Sequence, residues 1–95
     1  MLEPPIDRIK LMPDYGCEIP LWGAGGHLDI EDCRQLGLSV DLIERLVAWQ
    51  SRFDAGFDWE RGWSMYPAAR EPWQAQGEAL AADLRRELPA IALVV

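Results

Sequence analysis

Histidine occurs once in this chain, at His27, and cysteine only twice, at Cys17 and Cys33. So few thiols exclude a dense disulfide framework, and one histidine leaves no paired ligand set of the ordinary zinc kind. Positive charge is also scarce. Nine Lys and Arg stand against sixteen Asp and Glu, giving a net charge of −7. The basic residues are scattered from Arg8 and Lys10 to Arg85 and Arg86, and no stretch concentrates them. The electrostatic footprint that tracks phosphates is missing, which argues against direct nucleic-acid binding and favours basic partners. Long hydrophobic runs are absent too. The longest, Ala90–Val95, is far too short to cross a bilayer, and the opening Met-Leu-Glu-Pro-Pro lacks the basic-then-apolar pattern of a secretory signal. The expectation is a cytoplasmic protein with reduced cysteines and no membrane contact.

What the chain does have is tryptophan. Five Trp in 95 residues, with 49% hydrophobic residues, point to a folded globule rather than a disordered tail, and the length fits a single domain over 1–95. Trp22, Trp59 and Trp63 fall in two aromatic, acidic segments that read as loops. One runs from Met12 through Asp14, Tyr15 and Glu18 to Trp22; the other runs from Trp49 through Asp54, Asp58, Trp59 and Glu60 to Trp63. Such rings either close a small core or are presented to a partner, since indole combines a large apolar area with one N–H donor.

The regular elements are fewer. Residues 6–12 alternate, with Ile9 and Leu11 on one face and Arg8 and Lys10 on the other, as in a half-exposed strand ended by Pro13. Asp29–Asp32 can cap one helical turn before Gly37. The spacing of Leu42, Leu46, Trp49 and Phe53 predicts a helix over 40–53, with Ser39 as N-cap and Leu38 and Ile43 as a hydrophobic staple. Asp41 and Arg45 make an i,i+4 pair. A second helix over 71–88 places Pro72 in the first turn and Trp73, Gly77, Leu80, Leu84 and Leu88 on one face, with Gly77 leaving room for Trp49. Ala90–Val95 then reads as an apolar strand. The fold class is α+β: a small β-α-α-β domain, two helices on a short sheet, with long aromatic loops. Parallel and antiparallel pairing of the two strands both remain open. Two helices cover one sheet face only, so the other face or an edge is expected to meet another copy or another protein.

Each chemical constellation has a plainer reading. Cys17 with His27 suggests a thiol nucleophile, but Asp14 and Glu18 beside it oppose thiolate formation, so a structural thiol is favoured. His27, Asp29, Glu31, Asp32 and Cys33 lack a matching second pair of metal ligands, and a solvated acidic loop with a helix cap is simpler. Asp54, Asp58 and Glu60 offer acid–base carboxylates but read better as solvated charges. Gly23-Ala24-Gly25-Gly26 lacks the strand-turn-helix setting and the lysine of a phosphate loop. No metal or cofactor is expected.

The segments Met12-Pro-Asp-Tyr-Gly-Cys17, Pro20-Leu-Trp22, Leu38-Ser-Val-Asp-Leu42, Leu46-Val-Ala-Trp49 and Phe57-Asp-Trp59 resemble a group of small uncharacterised acidic bacterial proteins. The likeness runs from the first strand into the second helix and implies a similar helix and final strand at the end of the chain. It carries no catalytic residue. Size and acidity are similar to those of immunity proteins of bacterial toxin systems, by analogy.

The residues therefore favour a non-enzymatic protein-binding module, an immunity- or antitoxin-like inhibitor of a basic bacterial partner. The partner-binding set is Asp14, Tyr15, Glu18, Trp22, Asp54, Asp58, Trp59 and Glu60, and a homo-oligomer is expected through the C-terminal strand. The competing reading is a small enzyme or ligand-binding domain using the Tyr15–Trp22 loop and the carboxylates near Trp59.

Overall fold

The computed structural model describes the backbone of residues 7–58, 62–63 and 67–95, and the side chains of 7–56 and 71–95. Strand β1 (Arg8–Leu11) alternates exposed and buried, with Ile9 and Leu11 inward as their spacing requires. Strands β2 (Leu21–Gly23) and β3 (Gly26–His27) follow, joined by the two-residue turn Ala24-Gly25. Helix α1 (Ile30–Leu36) and helix α2 (Val40–Ala55) lead into the small antiparallel hairpin of β4 (Phe57–Asp58) and β5 (Gly62–Trp63). Helix α3 (Pro67–Glu87) then returns the chain to β6 (Ala92–Val94). The main sheet has the order β3-β2-β1-β6 and is mixed: β1 pairs antiparallel with β2 and parallel with β6.

The fold is thus α+β, with the first and last strands adjacent and parallel. The stretch expected to be a long loop after β1 holds a hairpin instead. Its strands are only two and three residues long and glycine-bearing, too short to show alternation. Gly26 sits at φ +120°, so the Gly-Ala-Gly-Gly run serves hairpin geometry.

Helix α1 makes two turns rather than one. Asp29 and Asp32 form a reciprocal capping box at its start. At its end Gly37 takes φ +95°, its N–H donating to the Arg34 carbonyl while Leu38 N–H reaches back to the Cys33 carbonyl at 3.2 Å. That is the double bond pattern of a Schellman stop, with Cys33 and Leu38 both buried beside it. In α2, Ser39 Oγ accepts from Leu42 N–H at 3.1 Å, and Leu38 and Ile43 lie in the core as the staple requires. The Ser39 N–H and hydroxyl both donate to the Glu87 carboxylate, tying the start of α2 to the end of α3.

Helix α3 begins earlier than expected, at Pro67, which leaves Pro72 inside the helix rather than in its first turn. Proline at the first helical position forgoes no bond, whereas Pro72 removes one internal N–H donor. The apolar face holds as read: Trp73, Gly77, Leu80, Leu84 and Leu88 are buried. One core gathers Ile9, Leu11 and Leu21 from the sheet, Leu42, Leu46 and Trp49 from α2, and the α3 stripe. The helices lie on that inward face of the sheet, and the opposite face carries no helix among the described residues.

Candidate partner-binding surface

Proline at position 13 ends β1, and the chain turns sharply over Asp14–Cys17. Cys17 N–H donates to the Asp14 carbonyl at 3.2 Å, and Gly16 takes φ +86° at the third position of the turn. Left-handed backbone there is what a type II turn demands, and glycine supplies it without a Cβ clash. Tyr15 consequently rides at the tip, 42% exposed.

A single side chain fixes this loop to α2. Gln50 is 1% exposed, a buried polar residue in an otherwise apolar core. Its Nε2 donates to the Asp14 carbonyl at 2.7 Å, and its Oε1 accepts from Asp14 N–H at 3.4 Å. The amide thus pairs with Asp14 in both directions, much as a neighbouring strand would. Nε2 also donates to Asp54 Oδ1 at 3.0 Å, and the same oxygen accepts from Gly16 N–H at 3.2 Å. Asp14 and Asp54, forty positions apart in the chain, are held on one corner of the molecule by this network.

The expected set is therefore partly assembled. Asp14, Tyr15 and Glu18 are exposed on one loop, and half-buried Asp54 is bonded to that loop. Trp22 stands differently. It lies in β2, half-buried, its Nε1–H donating to the Met12 carbonyl at 2.9 Å and its ring meeting His27 edge-on at 5.1 Å. His27 Nε2–H in turn donates to the Ile19 carbonyl at 2.5 Å. Trp22 is thus committed to its own sheet at one edge, with only part of its ring facing out. Trp59 and Glu60 lie outside the described residues, as does the side chain of Asp58.

The thiol chemistry follows from the same corner. Burial pushes the Cys17 pKa up, and Asp14 and Asp54 push it further, so the charged neighbours are these two rather than Glu18. A thiol held protonated this way is a poor nucleophile. Cys33 is fully buried, and burial, with Asp32 and Asp29 nearby, pushes it up to about 12. Both cysteines are free thiols.

Next to the acidic corner, an apolar groove of about 430 Å³ opens between the end of β1 and α3. Met12, Pro13, Trp49, Trp73, Gly77 and Val95 are among its walls. Exposed charge on the loop thus stands beside an apolar groove at this corner. A family model described as Serratia CdiI immunity protein-like matches residues 7–95. The chain belongs to that family.

Membership in an immunity-protein family supports binding to a partner toxin, and it covers both the acidic loop and the helices that carry it. No curated protein matches the chain. The family match bears out the likeness to immunity proteins that size and acidity suggested. Among the described residues no helix is long and apolar enough to cross a membrane. One element of this candidate surface escaped the sequence reading: Gln50. Its signal was present, since a glutamine four residues after Leu46 and seven after Ile43 occupies an apolar-stripe position where a polar group needs partners.

Proposed function

We propose that this protein is an immunity protein that binds a basic partner toxin through its acidic, aromatic corner and inhibits it. Asp14, Glu18, Asp54, Asp58 and Glu60 steer and orient the encounter, and Tyr15 and Trp59 anchor the complex. The observation that carries the immunity role is the family match over residues 7–95. What supports this corner as the docking surface is the Gln50 network, which preorders Asp14 and Asp54 before any partner arrives. A preordered loop loses less entropy on binding, so more of the contact energy is realised as affinity. The apolar groove beside the loop suits an apolar side chain of the partner flanked by Lys or Arg.

The protein acts in the cytoplasm, where two free thiols persist without oxidation. It self-associates through β6, an edge strand paired on one side only among the described residues, with its Val94 and the following Val95 exposed. The test is titration of the partner toxin with the wild-type protein and with Asp14→Asn/Glu18→Gln. Slower association and a flatter salt dependence are expected for the double variant, with toxin inhibition restored at higher concentration. Unchanged association kinetics would exclude this corner as the docking surface.

A further inference from the structure

Cross-strand partners in a sheet project to the same face, so register determines what the face without a helix among the described residues presents. One row crosses all four strands: His27 is paired with Trp22, Trp22 with Lys10, and Lys10 with Val94. Arg8 stands two residues from Lys10 on the same face, opposite Ala92. The inward partners, Ile9 with Leu93 and Leu11 with Leu21, occupy the other face against the helices. Arg8, Lys10 and His27 are exposed, and Trp22 is half-buried between them.

Charge makes this face unusual for the molecule. Sixteen acidic residues give the chain its net −7, yet none lies in any of the four strands. Arg8 and Lys10 join none of the ion pairs among the described residues, whereas Arg34, Arg45 and Arg86 do. Two cations without an ion pair among the described residues thus flank a groove of about 310 Å³ lined by Trp22 and Val94. That volume suits one or two side chains.

We infer that the outer face of the four-stranded sheet is a second docking surface, one that takes an acidic, apolar-flanked polypeptide segment. A carboxylate sits between Arg8 and Lys10 while its apolar neighbour packs on Trp22 and Val94. A second copy stacked face to face is disfavoured, because Arg8 and Lys10 would oppose their own equivalents. A nucleic acid is disfavoured as well. Two fixed cations neutralise few phosphates, and the rest of a strongly acidic chain repels the remainder. Opposite in charge to the acidic corner, this surface does not depend on the toxin-binding reading for its support.

The test uses the full ¹⁵N-labelled chain and three probes at one moderate salt concentration: a capped Glu-Phe-Glu-Phe-Glu peptide, the same peptide with Gln for every Glu, and an eight-residue oligothymidylate. The acidic peptide should shift the amide signals of residues 8–10, 22, 27 and 92–94 and the Trp22 indole. Its apparent affinity should fall at least tenfold in R8E/K10E, a variant expected to fold normally because both side chains are exposed. The Gln peptide should shift these signals far less. Loss of the acidic corner by Asp14→Asn should leave the peptide's effect intact, so failure of the toxin reading and failure of this one are separable. If the peptide leaves the sheet signals unmoved, acts equally on R8E/K10E, or is outcompeted there by the oligonucleotide, the inference is overturned.

Discussion

Trp49 and Trp73 lock each other in place: each indole N–H donates to the other residue's backbone carbonyl, at 2.8 and 3.1 Å, while the rings stack 4.3 Å apart at 8°. Both rings are buried, so the polar edge of each must be satisfied locally, and the reciprocal pair does this without water. The pair joins α2 to α3 directly behind the acidic corner, because Gln50 is the next residue after Trp49.

Gly77 completes this joint. A Cβ built there would stand 2.6 Å from Trp49 Cζ2, closer than side chains tolerate, and the ring is pinned by its own hydrogen bond. Gly77→Leu should therefore cost on the order of 1–3 kcal/mol despite the gain in helix propensity. Chemical denaturation checks this; a variant more stable than wild type would show that the face is loosely packed.

Removing one indole donor tests the reciprocal pair. Trp73→Phe keeps an aromatic ring but leaves the Trp49 carbonyl without its side-chain donor, and a loss of about 1–2 kcal/mol is expected. Near-ultraviolet circular dichroism should lose the coupled Trp signal along with the stability.

Much of this joint was legible in advance. Trp49, Trp73 and Gly77 lie on apolar stripes whose period is read directly from sequence, and the first strand shows its alternation in Ile9 and Leu11. Strands β2 and β3 were not legible, since two or three residues with glycines carry no period. The early start of α3 was hidden because Pro72 imitates a first-turn proline. At the candidate site, the loop's acidic and aromatic character was visible, but its attachment through Gln50 depends on a tertiary contact that no local pattern records. The likeness to immunity proteins was legible in size and acidity, and the family match gave it substance.

Gln50 should matter to the loop more than to the fold. Gln50→Leu keeps the volume but removes both bonds to Asp14 and the bond to Asp54, at an expected cost of about 1–3 kcal/mol. Hydrogen exchange at the Asp14 and Gly16 amides should accelerate well beyond that of the α2 amides. Equal acceleration in both would mean that the loop and helix open as one unit.

Alkali should unfold the protein through its buried thiol. Cys33 is pushed up to about 12 from an ordinary value near 9.0, so the folded state keeps a proton that the unfolded chain loses first. Stability is then unaffected by this group below about pH 9 and falls as pH rises from 9 towards 12. Cys33→Ala should flatten that fall in pH-dependent denaturation while lowering stability at neutral pH. At the corner, Asp54→Asn removes a negative neighbour of Cys17, so its pKa should drop and its alkylation at pH 8 should quicken.

The most direct measurement is the dissociation constant and rate constants of the complex with the partner toxin for wild type and Tyr15→Ala. Tyr15 rides at the tip of the Gln50-held turn, where truncation should leave the fold intact, as thermal denaturation would verify. A loss of about 2 kcal/mol, roughly thirtyfold in affinity, is expected, carried mainly by faster dissociation, with inhibition of the toxin weakened in proportion. Toxin bound and inhibited by Tyr15→Ala as tightly as by wild type would contradict the acidic, aromatic corner as the seat of immunity.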